Sequence, residues 1–463
     1  GQGMPADEPA LDPACAPEFD EFGLPPARER ASLEEMLLDP MAVVDHLSVA
    51  QCAGINNFTF NECQDIWKSC QIGWAEAFGG ACEEVNRAML LPHPDDPRNQ
   101  LALERRIKWK FVLPALLLRK PPSTDGVKAR DLEALVKHRL RLHAEGAFDL
   151  LIAEYEADCV RAEALRQRTD NRNGDAKDVA RLRRACELLS RGQFGRARKY
   201  LQSYGLGDHY DELILEQMKT KHPARKGDIA AMTPEEKEKA RKGITRKAFD
   251  ERLRGLKPDT APGLDMLRNE HLSSLQLSPN RVASPGARAA VDDYFEYANH
   301  VVKVEMPDWF YTAMVSSRLV PARKVHPDDR EPGAPDECRP VKIGGCERRF
   351  ITGAWFDGTL LDAFNEILAP VQNGVAIKGG ISITAFGVQA ALDANPQWGV
   401  IQGDIKNGYN EVMRSKILRS LRESGRFDHI LAFSHALLEP EAYVGFGNGI
   451  NTYNAGFRSC EGV

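Results

Sequence analysis

The pattern of apolar positions divides the chain in two. From about residue 36 to 215, apolar side chains recur at three- and four-residue spacing, the period of an amphipathic helix. The clearest run, "ARDLEALVKHRLRLHAEGAFDLLIAEYEADCVRAEALRQR" at 129–168, predicts helix on both sides of a break at Gly146. Further helical pieces are predicted over 177–191 and 193–203. In "TPEEKEKARKG", a Thr-Pro-Glu-Glu start at 233–236 and a Gly243 stop predict one more. After residue 256, helices alternate with short β-type runs. The spacing predicts a helix near 266–277, strands near 317–323 and 339–344, and helices near 358–369 and 382–394. A strand is predicted at 398–404, then helices near 411–423 and 427–438, then a hairpin over 442–458 with Asn448-Gly449 as its turn signal. The expected class is α+β, without internal repeats.

Charge sharpens this division. The 463 residues are 43% hydrophobic and 28% charged, a soluble globular composition with room for two or three units. The net charge of −6 is unevenly spread. Residues 1–50 hold eleven Asp/Glu against two Arg, a local −9, whereas 218–257 hold thirteen Lys/Arg against six Asp/Glu, a local +7. An acidic tail with a basic middle suits a chain that meets a polyanion, although a charge run is as often a solvated face. We therefore divide the chain into an acidic disordered tail (1–35), a helical region (36–215), a basic linker (216–255) and a mixed region (256–463).

Ten cysteines without a CxxC pair indicate neither a zinc site nor a disulfide framework, so a reduced intracellular compartment is expected, nuclear or cytoplasmic. The longest apolar run, "WKFVLPALLL" at 109–118, is about half a membrane span and contains Pro114, so no membrane partner is expected. There is no secretory signal. Without an initiator Met, and stopping at "SCEGV", the chain is expected to be a fragment at both ends.

Four stretches carry candidate chemistry. In "GVIQGDIKNGYNEV" (399–412) an apolar run climbs to Asp404. Along a strand, Trp398, Val400, Gln402 and Asp404 share one face, so the carboxylate leaves the core aimed into a cleft. An acid ending an apolar strand is costly to desolvate and often has a metal for a partner. "RPVKIGGCERRFI" (339–351) places Arg339 and Lys342 around a short strand. "QNGVAIKGG" (372–380) is a Gly-rich bend between helices that can bring Lys378 close to a flat or anionic ligand. "TAPGLDMLRNEHL" (260–272) is a turn feeding a helix.

In this order and spacing the four resemble the reverse transcriptase domain of non-LTR retrotransposons, over about 255–463. "APGLD" is similar to that family's Ala-Gly-Pro-Asp-Gly segment, and Arg339-Pro340 to its Arg-Pro-Ile motif. Gln372 and Gly374 resemble its Gln-x-Gly-Phe segment, and "GDIKNGYN" its motif A. "SCEGV" (459–463) is similar to the opening of motif B. The resemblance implies a helical extension followed by the fingers and part of the palm of a right-hand polymerase. It implies an RNA template, a DNA primer, dNTP substrates and two Mg²⁺ ions. By the family's pattern Asp404 and the carbonyl of Ile405 hold metal, and Tyr409 packs under the incoming sugar and rejects a 2′-hydroxyl. Arg339 matches the arginine that contacts the triphosphate, with Lys342 and Lys324 as weaker contacts. Gln372, Gly374 and Lys378 would follow the template strand.

Three positions depart from the family: Gly408 replaces Ala, Asn410 stands where many relatives carry Asp, and Gly403 replaces a bulky apolar residue. By the family's pattern the Asp-Asp pair of motif C should follow motif B, and the sequence ends first, so the chain is expected to be inactive alone. Other chemistries are poorly supported. "GFGNGI" (445–450) reads as a hairpin with no following helix, there is no Walker A loop or Gly-x-Ser-x-Gly elbow, and the eleven histidines do not cluster. A second reading is a domesticated polymerase-like domain that only binds nucleic acid or a protein. A third makes 36–215 an independent helical interaction module.

Overall fold

The computed structural model describes residues 23–55, 63–122, 128–166, 174–190, 192–202, 204–207, 211–222, 227–325, 331, 336–368, 371–374, 377–403, 408–446 and 457–459. The first helices are α1 Leu33–Leu38, α2 Val49–Cys52, α3 Gln71–Met89, α4 Pro97–Leu118, α5 Ala129–Ala144 and α6 Phe148–Arg166. Next come α7 Gly174–Ser190, α8 Phe194–Leu201, α9 Glu212–Thr220, α10 Pro234–Glu238, α11 Arg246–Arg254, α12 Asn269–Ser273, α13 Pro285–Val302 and α14 Asp308–Val315. Strands β1 Ser317–Arg323 and β2 Cys338–Gly344 precede α15 Cys346–Trp355, α16 Gly358–Leu368, α17 Gly380–Ala394, α18 Gly408–Glu411, α19 Arg414–Ser424 and α20 Asp428–Leu438. The chain closes with β3 Ala442–Phe446 and β4 Phe457–Ser459. The class is α+β.

Local signals set many of these boundaries. Gly146 at φ +74° separates α5 from α6, as the periodicity predicts. Thr233 caps α10 in a reciprocal box with Glu236, although that helix ends at Glu238, well before Gly243. The helix expected near 266–277 shortens to α12; Met266, in the left-handed region at φ 52°, rules out a helical start at that residue. The run 109–118 lies within α4, where Leu113, Leu116, Leu117 and Leu118 are all fully buried. Among the described residues no helix is long and apolar enough to cross a membrane.

One core runs through the boundaries at residues 215 and 255. Helix α3 lies so close to α13 that a Cβ on Gly79 would fall 2.6 Å from Ala290 Cα. Above that contact Phe78 meets Tyr294 edge-on at 5.2 Å, Tyr294 stacks on Phe350 at 5.3 Å, and Phe249 meets Phe350 at 5.0 Å. These rings come from the helical region, the basic stretch and the mixed region. Each aromatic pair adds roughly 1 kcal/mol beyond burial.

The sheet has the order β2-β1-β3-β4. β1 pairs with β2 antiparallel from Ser317↔Gly344 to Arg323↔Cys338, and with β3 in parallel from Ser317↔Val444 to Leu319↔Phe446. β3 and β4 form the predicted antiparallel pair; their expected Asn448-Gly449 turn lies outside the described residues. Residues 205–207 extend the sheet, with Gly207 N–H donating to Pro321 O at 2.8 Å. Helix α9 covers one face through Ile214, Leu215 and Met218, which pack with Leu319, Cys338 and Val444.

His271 is fully buried between two backbone groups. Its Nδ1 accepts from Arg268 N–H at 3.2 Å, so Nε2 donates to Cys63 O at 2.6 Å and the ring is neutral. Burial pushes its pKa down from 6.5 to about 4, and burial does the same to His143 and His222. Between pH 6.5 and 4 the unfolded chain therefore binds protons that the folded chain does not. The histidine contribution to stability is whole above pH 6.5 and is lost as the pH drops to 4, about 3 kcal/mol of it from His271, and it is partly offset between pH 4 and 6 by Asp265, whose raised pKa acts in the opposite direction. Urea midpoints across this range should show the decline, and His271→Gln should flatten it; equal slopes would refute the assignment.

Candidate nucleotide and template site

Strand β2 decides where two of the expected nucleotide contacts go. Arg339 stands opposite Ala322 and Lys342 opposite Leu319, so their three-residue spacing sends the side chains to opposite faces of the sheet. Lys342 is half-buried on the face that α9 covers. Arg339 is exposed on the open face, and its guanidinium has no ion pair with any described residue. Lys324 follows β1 with its N–H donating to Glu337 O at 2.9 Å. Its ammonium pairs with the Glu337 carboxylate, which neutralises it. Arg339 is thus the cation of the three best placed to meet an anion.

The turn 260–265 and the end of β2 form one unit. A Cβ on Gly263 would fall 2.5 Å from Gly345 Cα, and one on Gly345 would fall 2.8 Å from Asp265 Oδ2, so both motifs need glycine where they meet. Asp265 Oδ2 accepts from Glu347 N–H at 3.1 Å and caps α15, while Arg349 donates to Ala261 O at 2.7 Å. Burial raises the Asp265 pKa to about 6, and its Oδ1 has no hydrogen-bond partner. Behind it lies a cavity of about 40 Å³ bounded by Leu264, Ser316, Gly345 and Arg348, room for a water or two and far too small for a nucleotide. Lys110 anchors the unit to α4 through an ion pair with Glu347.

The bend expected to follow the template lies between α16 and α17. Gln372 accepts from Gly374 N–H, Gly379 takes φ +74°, and a Cβ on Gly380 would overlap Asn373 O. Lys378 and Gly374 are exposed at its surface and Gln372 is half-buried. Helix α17 continues from it with no charge between Gly379 and Leu392, yet residues 381–390 are all exposed, Phe386 by 75%. A helix apolar on all sides is normally buried.

The strand expected at 398–404 does not form over residues 398–403. Nothing described pairs with this segment, and Trp398, Val400 and Ile401 are exposed, so the inward and outward alternation of a half-buried strand is lost. Asp404 and Ile405 lie outside the described residues. Tyr409 falls in the short helix α18, and its side chain is likewise outside the description. Among the described residues no group of three or more His, Cys, Asp or Glu side chains could hold a metal.

The basic stretch 218–257 spends much of its charge internally. Lys239 pairs with Asp428 at 2.6 Å, Lys242 with Asp357 at 2.9 Å and Arg246 with Asp250 at 2.9 Å. Arg241 donates to Val304 O at 3.0 Å and Arg252 to Arg349 O at 3.2 Å. Uncommitted cations lie instead on α7 and α8, which sequence reasoning passed over. The available signal was composition: residues 166–202 hold eleven Lys/Arg against four Asp/Glu, a local +7.

Asp259 escaped notice for a different reason. Its carboxylate, 4% exposed, accepts from Gln193 at 2.7 Å, Arg196 at 3.3 Å, Arg184 at 3.4 Å and also from Gln64. A lone acid in "KPDTAPG" gives no hint that four distant donors converge on it.

No protein-family model matches this chain, and no curated protein or solved structure matches it either.

Proposed function

We propose that residues 256–463 are the fingers and first part of the palm of an RNA-directed DNA polymerase of the non-LTR retrotransposon type. The observation that carries the reading is the ordered set of four motifs, from "APGLD" to "GDIKNGYN". The tight seat of Gly263 on Gly345 supports it, because the first motif fits against the second, more than 70 residues away in sequence, only where each carries glycine. Arg339, solvent-facing and uncompensated, supports a role in holding a triphosphate. In this proposal Asp404 and the Ile405 carbonyl hold Mg²⁺, which when bound supplies charge neutralisation for phosphoryl transfer. Arg339 orients the triphosphate, Tyr409 excludes a 2′-hydroxyl, and Gln372, Gly374 and Lys378 support the template.

The test is primer extension on an RNA template, using a chain that carries the second acidic pair. Arg339→Ala should raise KM for dNTP by roughly 10- to 100-fold, the worth of hydrogen bonds to a charged group, while template affinity stays unchanged. An unchanged KM would remove Arg339 from the site. Absence of any extension would favour the alternative, a polymerase-like domain that only binds.

A further inference from the structure

Helices α7 and α8 form a hairpin that turns at Gly192, φ +70°, where Gln193 N–H donates to Leu188 O at 2.9 Å. Its buried residues Ala185, Leu188 and Ala197 lie outside the three hydrophobic core clusters. The hairpin is tied to the body through polar contacts at Asp259, which use Arg184 and Arg196. Other cations remain outward. Arg183 is exposed with no ion pair to a described residue, and Arg198 is exposed with only Gln202 as a neutral partner at 3.3 Å.

Exposed aromatic rings lie on the same hairpin. Phe194 is 69% exposed and lies one turn before Arg198 on α8, so the two share a face. Tyr200 and Tyr204 are also exposed. Positive charge interleaved with exposed rings is the surface that single-stranded nucleic acid uses: phosphates meet the cations and unpaired bases stack on the rings. A duplex hides its base faces and gains nothing from the rings.

We infer that the α7–α8 hairpin is a docking surface for single-stranded RNA, with Arg183 and Arg198 on phosphates and Phe194 beneath a base. The choice of RNA over DNA rests on the polymerase reading above; the docking chemistry does not. This surface lies outside the expected nucleotide and template contacts and gives the helical region a binding role of its own.

The experiment is fluorescence anisotropy of labelled poly(U) RNA with the whole chain in EDTA, where no polymerisation occurs. Arg183→Ala/Arg198→Ala should weaken binding and lower the slope of log K against log salt by about 1.4, two contacts on a single strand. Phe194→Ala should weaken binding about tenfold with the slope unchanged, the loss of one stacked base. Lys237→Ala/Lys247→Ala, at exposed positions of the 218–257 stretch, should leave affinity near that of the parent. All these sites are exposed, so melting temperatures should stay constant.

Equal affinity of parent and hairpin variants overturns the assignment. So does duplex DNA binding as tightly as poly(U), which would make the surface a plain polyanion patch. Tighter binding of single-stranded poly(dT) than of poly(U) overturns the choice of RNA. Hairpin-dependent binding by a chain that carries the second acidic pair yet never extends a primer would sink the polymerase reading and leave this one standing. Extension with hairpin-independent RNA binding would do the reverse.

Discussion

Replacing Asp404 with Asn should abolish primer extension in a chain that carries the second acidic pair, while template affinity stays within about twofold. Asparagine keeps the size and one carbonyl oxygen of the side chain but removes its negative charge, and a neutral amide is a poor ligand for a hard divalent cation. Charge stabilisation by a bound metal is worth several kcal/mol in phosphoryl transfer, so incorporation should drop by at least about a thousandfold. In the proposed enzyme, template binding would rest on phosphate contacts made elsewhere, which the substitution leaves in place. Extension rates and anisotropy on the same preparation separate the two effects. Calorimetric titration of Mg²⁺ adds a readout independent of turnover. Unchanged turnover, or lost template binding at unchanged turnover, would strip Asp404 of its role.

Lys110→Ala should destabilise the protein by about 3–5 kcal/mol, the cost of leaving a buried partner charge uncompensated. Lys110 on α4 is 1% exposed and pairs with Glu347 on α15, itself 11% exposed. Its ammonium also lies 4.2 Å from the centre of the Tyr297 ring. Removing the lysine strands the Glu347 carboxylate against Tyr294 and Tyr297, whose hydroxyls already lack partners. The loss should loosen α15 and with it the seat of Gly263 on Gly345. Replacing both partners, as in Lys110→Met/Glu347→Leu, should recover most of the stability, because no buried charge is then left alone. Urea unfolding followed by circular dichroism measures both; a loss below about 1 kcal/mol for Lys110→Ala would show that the pair contributes little.

The contrast between α10 and α17 shows how far helix boundaries can be read from sequence. The start of α10 is written in four consecutive residues, Thr233 to Glu236, and forms as read. Helix α17 also forms near its expected limits, yet its apolar sides stand in water, which no local pattern could indicate. The candidate site divides in the same way. The strands carrying Arg339 and Lys342 are legible from alternation, and parity alone sends those two side chains to opposite faces. The run at 398–403 has strand composition but no strand neighbour among the described residues, and a strand without a neighbour leaves its backbone groups unpaired.

The α+β class, the break at Gly146, strands β1 and β2 and the order of the four motifs are all legible in the amino-acid order. Each of these is encoded within a few adjacent residues, where turn chemistry and side-chain period act directly. Packing alone decided that much of the 218–257 charge is used internally. It also decided that Asp259 gathers donors from α7 and α8, and that Lys110 meets Glu347 across 237 residues. Such pairings depend on which surfaces the packed core brings together, and residues far apart in the chain carry no local record of one another.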